Sequence, residues 1–340
     1  MKNKKWIALA AAVVLAVTAL PMGVFAAKKD STEEKLTKVT LNEVAHSIFY
    51  APQYVAIEEG YFAEKGLDLT LVTGFGADKT MTAVISGEAD IGFMGAEASV
   101  YAYQEGATDP VVNFAQLTQR AGNFLVAREE MPDFKWEDLK GEKVLGGRKG
   151  GMPEMVFEYI LKKNGINPQK DLTIDQSIDF GSTAAAFTSD DSAAYTVEFE
   201  PSATILEKEG AGYVVASLGE ASGYVPYTSY STKASYMKEN PEIIQKFTDA
   251  LQKGMDYVQN HTPEEIAEVI APQFKETDLE TITAIVKRYY DQDTWKENLI
   301  FEKDSFELLQ DILEDAGELT DRTAYENLVQ TEYAQKACKN

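Results

Sequence analysis

Two rhythms of apolar and polar positions run along most of this chain. Residues 38–45 have a β pattern with Val39 and Leu41 on one face, and residues 52–65 change to helical spacing. In that second segment Tyr54, Val55, Ile57, Tyr61 and Phe62 form an apolar stripe, and Gly66 ends it. Residues 67–72 alternate like a half-buried strand, 77–86 predict a second helix stopped by Gly87, and 89–94 and 111–117 predict two further strands. An order β-α-β-α-β favours a mostly parallel sheet covered by helices. The last third is helical throughout, over 241–259, 263–271, 279–290 and 303–316, with Asn240 before Pro241 and Thr262 before Pro263 as start signals.

The first residues follow neither rhythm. Lys2, Lys4 and Lys5 precede an apolar stretch over 6–20, then Pro21 and Val24-Phe25-Ala26-Ala27, the order of a secretory signal peptide cleaved after Ala26. The stretch is shorter than the roughly 18 to 20 residues that cross a bilayer. Residues 1–26 are therefore read as a signal peptide and 27–37 as a flexible tether, since 28–35 contain no apolar side chain. Export is the expected fate, to a periplasm or a cell surface. The single cysteine, Cys338, permits no intrachain disulfide and does not follow the signal, where a lipid-anchor cysteine would stand.

Four groups of residues carry a family resemblance. Tyr50-Ala51-Pro52-Gln53-Tyr54-Val55-Ala56 with Glu59-Gly60-Tyr61-Phe62-Ala63-Glu64-Lys65-Gly66-Leu67 resembles the opening of exported binding proteins for nitrate, taurine, aliphatic sulfonates and thiamine-pyrimidine precursors. Ser86-Gly87-Glu88-Ala89-Asp90-Ile91-Gly92 is similar to their third-strand motif. Residues 136–144 (WEDLKGEKV) resemble their entry into a second lobe, and Phe199-Glu200-Pro201 their aromatic-acidic-proline turn. The resemblance implies an α/β type II periplasmic-binding fold: two lobes with mostly parallel sheets, joined by crossover segments near 123–128 and 224–230. Lobe one would comprise 38–125 and 228–335, lobe two 126–227, with the late helices packed around lobe one and contributing little to ligand chemistry. It also implies a substrate-binding protein of an ABC importer, with a membrane permease as partner and a monomeric state.

In open α/β sheets ligands bind beyond the C-terminal ends of strands. The loops so placed are residues 42–50, Thr73-Gly74-Phe75-Gly76, Gly95-Ala96-Glu97, and Gln119-Arg120. Opposite them, Gly146-Gly147-Arg148-Lys149-Gly150-Gly151-Met152-Pro153 precedes a helix, where glycines permit close backbone approach and unpaired amides favour an anion or a carbonyl oxygen. The same loop reads equally as a tight connection. The candidate ligand-binding residues are Asn42, His46, Tyr50, Phe75, Glu97, Gln119, Gly150, Gly151, Met152 and Glu198. His46 offers a hydrogen bond or a stacking face, or else serves the fold. Tyr50 and Phe75 offer flat apolar contact, and Glu97 and Glu198 acceptors for ligand N–H groups. Glu200 reads as a salt-bridged or solvated rim residue, and His261 is given no role.

Charge and missing motifs narrow the classes. The net charge of −23 becomes −26 when the three leader lysines are removed, which argues against nucleic acid as a partner. No nucleophile elbow, His-Glu-x-x-His helix or closely spaced Cys/His set occurs, so neither an enzyme nor a bound metal or cofactor is expected. A pyrimidine-precursor synthase branch of the same superfamily is marked by a cysteine-rich iron-binding motif, which this chain lacks. The carboxylates and aromatics point to a nitrogen heterocycle such as a thiamine pyrimidine precursor. Arg120, Arg148 and Lys149 keep a sulfonate or taurine-type ligand in view, and a sensory receptor of the same fold is a third reading.

Overall fold

The computed structural model describes residues 36–178 and 181–339. The expected signal peptide, its cleavage point and the tether up to residue 35 lie outside the described residues.

Ten strands are present among the described residues: β1 Thr37–Glu43, β2 Leu67–Thr73, β3 Ile91–Gly95, β4 Val111–Thr118, β5 Asn123–Ala127, β6 Lys143–Leu145, β7 Thr173–Asp175, β8 Tyr195–Phe199, β9 Tyr213–Ser217 and β10 Thr228–Lys233. They form two five-stranded sheets of equivalent topology, ordered β2-β1-β3-β10-β4 and β7-β6-β8-β5-β9. The fold is thus bilobed α/β of the type II kind, but the sheets are mixed rather than mostly parallel. In the first, β1 pairs in parallel with β2 and β3, while β10 is antiparallel to both β3 and β4. In the second, β6 pairs in parallel with β7 and β8, while β5 is antiparallel to β8 and β9.

The antiparallel strands are the two that follow a crossing between sheets. The parallel strands end facing the other lobe, so a strand arriving from there starts where its neighbours finish and must run away from the interface. Asn123 at the start of β5 accordingly pairs with Phe199 at the end of β8, and Thr228 at the start of β10 with Gly95 at the end of β3. The expected boundary at 125/126 falls inside β5, all of which belongs to the second sheet.

Burial follows the apolar pattern. β2 alternates buried and open positions as a sheet edge, whereas β3 and β4 are buried along their whole length. Phe93 of β3 stacks on Tyr230 of β10 with ring centroids 4.1 Å apart, tying the antiparallel strand into the first core. The helix expected over 52–65 is two, Ala51–Glu58 and Tyr61–Glu64, because Gly60 takes a left-handed conformation with φ 74°.

Four late helices, Pro241–Asn260, Pro263–Ile270, Leu279–Asp291 and Lys303–Ala316, stand where the pattern puts them. Thr262 caps the second of these through a reciprocal box with Glu265, while Asn240 makes no side-chain cap bond and donates instead to the Tyr236 carbonyl. The first lies so close to Ala51–Glu58 that a Cβ at Gly254 would fall 2.2 Å from the Pro52 carbonyl oxygen. These helices do more than surround the first sheet. Arg288 pairs with Glu200 at 2.6 Å and Glu207 at 3.0 Å, and Asp315 pairs with Lys162 at 3.3 Å, so they also reach helices and turns of the second lobe.

Candidate ligand-binding cleft

The strand ends of the two sheets meet around two adjoining cavities. The first is walled on one side by Val44, Tyr50, Gly76, Ala77, Gly95, Glu97, Tyr227 and Thr228, and on the other by Gly147, Arg148, Gly151, Met152, Pro153 and Phe199. The second is lined by Ala45, His46, Ser47 and Phe75 facing Gly146, Gly181, Thr183, Glu198, Glu200 and Ser202. Gly147, Pro153 and Phe199 border both, so the cavities are two chambers of one cleft.

Direct bonds hold the walls together. Arg148 Nη1 lies 3.2 Å from Asp78 Oδ1 in the first turn of helix Ala77–Ser86. The Tyr101 hydroxyl donates to the Gly150 carbonyl at 3.1 Å, and the Ser47 hydroxyl to the Glu200 carbonyl at 3.1 Å. Lys149 Nζ pairs with Glu318 at 3.2 Å.

Glu97 is the chemically unusual group of the first chamber. It opens helix Glu97–Gln104 at the end of β3 and is 3 % exposed. Burial pushes its carboxyl up to about 7, while its own amide, the Met152 amide and Arg148 pull the other way. The Met152 amide begins helix Met152–Lys163, whose N-cap Gly151 supplies no side-chain oxygen, so Glu97 serves this helix end from across the cleft. Its second oxygen, Oε2, is buried without a hydrogen-bond partner. The close fold of this carboxylate over β3 requires a glycine beneath it: a Cβ at Gly95 would lie 2.0 Å from Oε2. The Tyr227 hydroxyl, lining the same chamber, is also buried and unpartnered.

In the second chamber Glu198 is 3 % exposed and accepts from the Thr196 hydroxyl at 2.6 Å. Burial pushes its carboxyl up to about 7 against hydrogen bonds from Thr196 and Thr183. Glu200 is buried, not a rim residue. Burial raises its carboxyl, opposed by Arg288 and by the amide and hydroxyl of Thr204.

The ten candidates distribute unevenly. Tyr50, Glu97, Gly151 and Met152 line the first chamber; His46, Phe75 and Glu198 line the second. Phe75 stands at its mouth, 66 % exposed, with φ 57°, a conformation that costs a non-glycine residue energy. Asn42, Gln119 and Gly150 line neither chamber. Asn42 accepts from Thr80, Gln119 donates to the Asp293 and Trp295 carbonyls, and Gly150 supports the loop through Tyr101. Both nitrogens of His46 have protein partners, Nδ1 at 2.8 Å from Glu43 and Nε2 at 3.0 Å from the Gln273 carbonyl, and its ring stacks on Phe274. The Glu43 bond raises its pKa above the ordinary imidazole value. Residues absent from the candidate set include Tyr227 and Thr228, which stand at the start of β10, the end of a strand opposite to the one searched.

The family profile described as "NMT1/THI5 like" matches residues 48–266 of this chain. The chain belongs to the NMT1/THI5-like family. YtlA of Bacillus subtilis, whose name gives it binding but no ligand, is 47% identical over 92% of this chain and 93% of its own. The riboflavin-binding protein RibY of Chloroflexus aurantiacus is 25% identical over 68% of this chain and 65% of its own. Among solved structures, the alkanesulfonate-binding protein SsuA of Xanthomonas axonopodis, bound to MOPS, superposes with a TM-score of 0.70 at 15% identity, covering 87% of this chain and 99% of that one. At that identity the likeness carries the fold. The name of the 47% relative reports binding, and the solved structures share the bilobed fold.

Proposed function

We propose that the ligand lies in the first chamber and brings a hydrogen-bond donor to Glu97, and that its contacts with both walls favour the closed form over an open one. The observation behind this reading is the buried, unpartnered Oε2 of Glu97 inside a cavity bounded by both sheets. A buried acceptor left unmade costs about 1–3 kcal/mol, which a ligand N–H restores on binding. Tyr50, Phe199 and Tyr227 provide flat apolar surface, so a nitrogen heterocycle of the aminopyrimidine type fits this chemistry, and the name of RibY gives that relative a heterocyclic ligand as well.

A second reading is favoured by Arg148, a lining residue of the same chamber. A taurine-type molecule would set its ammonium on Glu97 and its sulfonate toward Arg148 and the helix start at Met152, and SsuA, with the same fold, holds a sulfonate buffer. A thermal-shift screen of the mature protein separates the two: aminopyrimidines and alloxazines against taurine and alkanesulfonates. A heterocycle hit whose shift disappears in Glu97→Gln supports the first reading. A hit restricted to simple alkanesulfonates, unaffected by Glu97→Gln, would overturn both.

A further inference from the structure

The second chamber has chemistry of its own. Across Phe199 from the ring-lined first chamber stand Glu198, Thr183, Ser202 and the backbone of Gly146 and Gly181, around open space of about 860 Å³ that includes the part reached by solvent. A single small ring in the first chamber would leave this space unused. Glu198 and Glu200 are among its lining residues, and the Glu200 carboxylate is engaged by Arg288 and Thr204. Glu198 already takes hydroxyl hydrogen bonds from Thr196 and Thr183, showing that its site suits O–H donors. Two buried carboxylates disfavour a phosphate or sulfonate here and favour a neutral or cationic group rich in O–H or N–H.

We propose that the ligand is bipartite: a flat ring in the first chamber and a hydroxylated or aminated arm passing Phe199 into the second, with Glu198 selecting the arm. This rests on the reading that the first chamber takes a ring, and it extends that reading to the length and donor content of the ligand. Glu198 is thereby a specificity residue, separate in function from Glu97.

Matched probes test it on the mature protein by titration calorimetry. Lumichrome and riboflavin share a ring system and differ in a polyhydroxylated arm; 4-amino-5-hydroxymethyl-2-methylpyrimidine and thiamine differ likewise in what the ring carries. In at least one pair the arm-bearing member is expected to bind about tenfold tighter or more, the scale of one or two charge-assisted hydrogen bonds. Glu198→Gln should remove most of that advantage while leaving the Kd of the ring alone unchanged, and Ser202→Ala should reduce it by a smaller factor. Unfolding curves of both variants establish that they are folded. Equal or tighter binding of the bare ring in every pair overturns the proposal, as does an equal loss for both members in Glu198→Gln. Absence of any ring binding, with or without binding of taurine or an alkanesulfonate, overturns the first-chamber reading itself, a distinguishable failure that removes this proposal too.

Discussion

Two buried glutamates stand at the ends of neighbouring strands, and they do opposite things. Glu43 ends β1 and is fully buried, yet its carboxylate receives Gln53 at 2.7 Å, Tyr54 at 2.8 Å, His46 at 2.8 Å and Thr73 at 3.2 Å. The network continues through Gln53 to the Tyr230 hydroxyl at 2.8 Å, binding the first loop to β10. Glu97, just beyond β3, is buried almost as deeply but keeps one oxygen without a partner. A buried carboxyl whose oxygens are all satisfied fixes a structure, whereas one with an oxygen left open carries a cost. The contrast separates the satisfied part of the cleft from the part proposed to read a ligand.

The largest effect is expected at the scaffold end. Glu43→Ala leaves four donors without their acceptor and should lower the unfolding free energy by about 4 kcal/mol, given 1–3 kcal/mol for each group that finds no water. Urea denaturation measures this, and a loss below about 1 kcal/mol would break the comparison.

At Glu97 the sign reverses. The Glu97 carboxyl is raised from 4.5 to about 7 in the folded chain, so its contribution to stability is present below about 4.5 and disappears as pH rises through 7. Glu97→Gln should therefore make the ligand-free protein more stable than wild type at pH 8, by up to about 3 kcal/mol, with little difference at pH 4.5. Glu198 titrates in the same direction, so the variant's curve becomes shallower, not flat.

The smallest effect belongs to His46, whose pKa is raised by its bond to Glu43. A raised imidazole stabilises below its ordinary value of 6.5 and loses that contribution as pH climbs through the folded value. His46→Gln should thus cost more at pH 5.5 than at pH 8.5, by no more than about 1 kcal/mol for a partly solvated pair. A pH-independent difference would place His46 outside the Glu43 network.

Much of this was readable in the chain, for physical reasons that also explain the omissions. The apolar stripe over 303–316 reproduces helix Lys303–Ala316, because a one-sided helix writes its period into its sequence. Strand direction is written nowhere locally, so β5 and β10 were expected to join mostly parallel sheets, and only the crossing geometry makes them antiparallel. The same blind spot hid Tyr227 and Thr228, which reach the cleft from the start of an antiparallel strand. Loops at parallel strand ends did point to Tyr50, Glu97, Gly151 and Met152. Asn42 and Gln119 were equally polar and similarly placed, but their side chains meet Thr80 and the carbonyls of Asp293 and Trp295, the last two supplied from more than 170 positions away in sequence. Partners so remote leave no local mark.

In the proposed complex Glu97 Oε2 meets a donor on the ligand. Titration calorimetry at pH 7, with the ligand that gives the largest thermal shift and in two buffers of different ionisation heat, addresses this directly. Wild type should release about half a proton more than Glu97→Gln, as the half-protonated carboxyl ionises against the incoming donor, and Glu97→Gln should bind at least about tenfold more weakly. Equal affinity and equal proton exchange in the two proteins would contradict it.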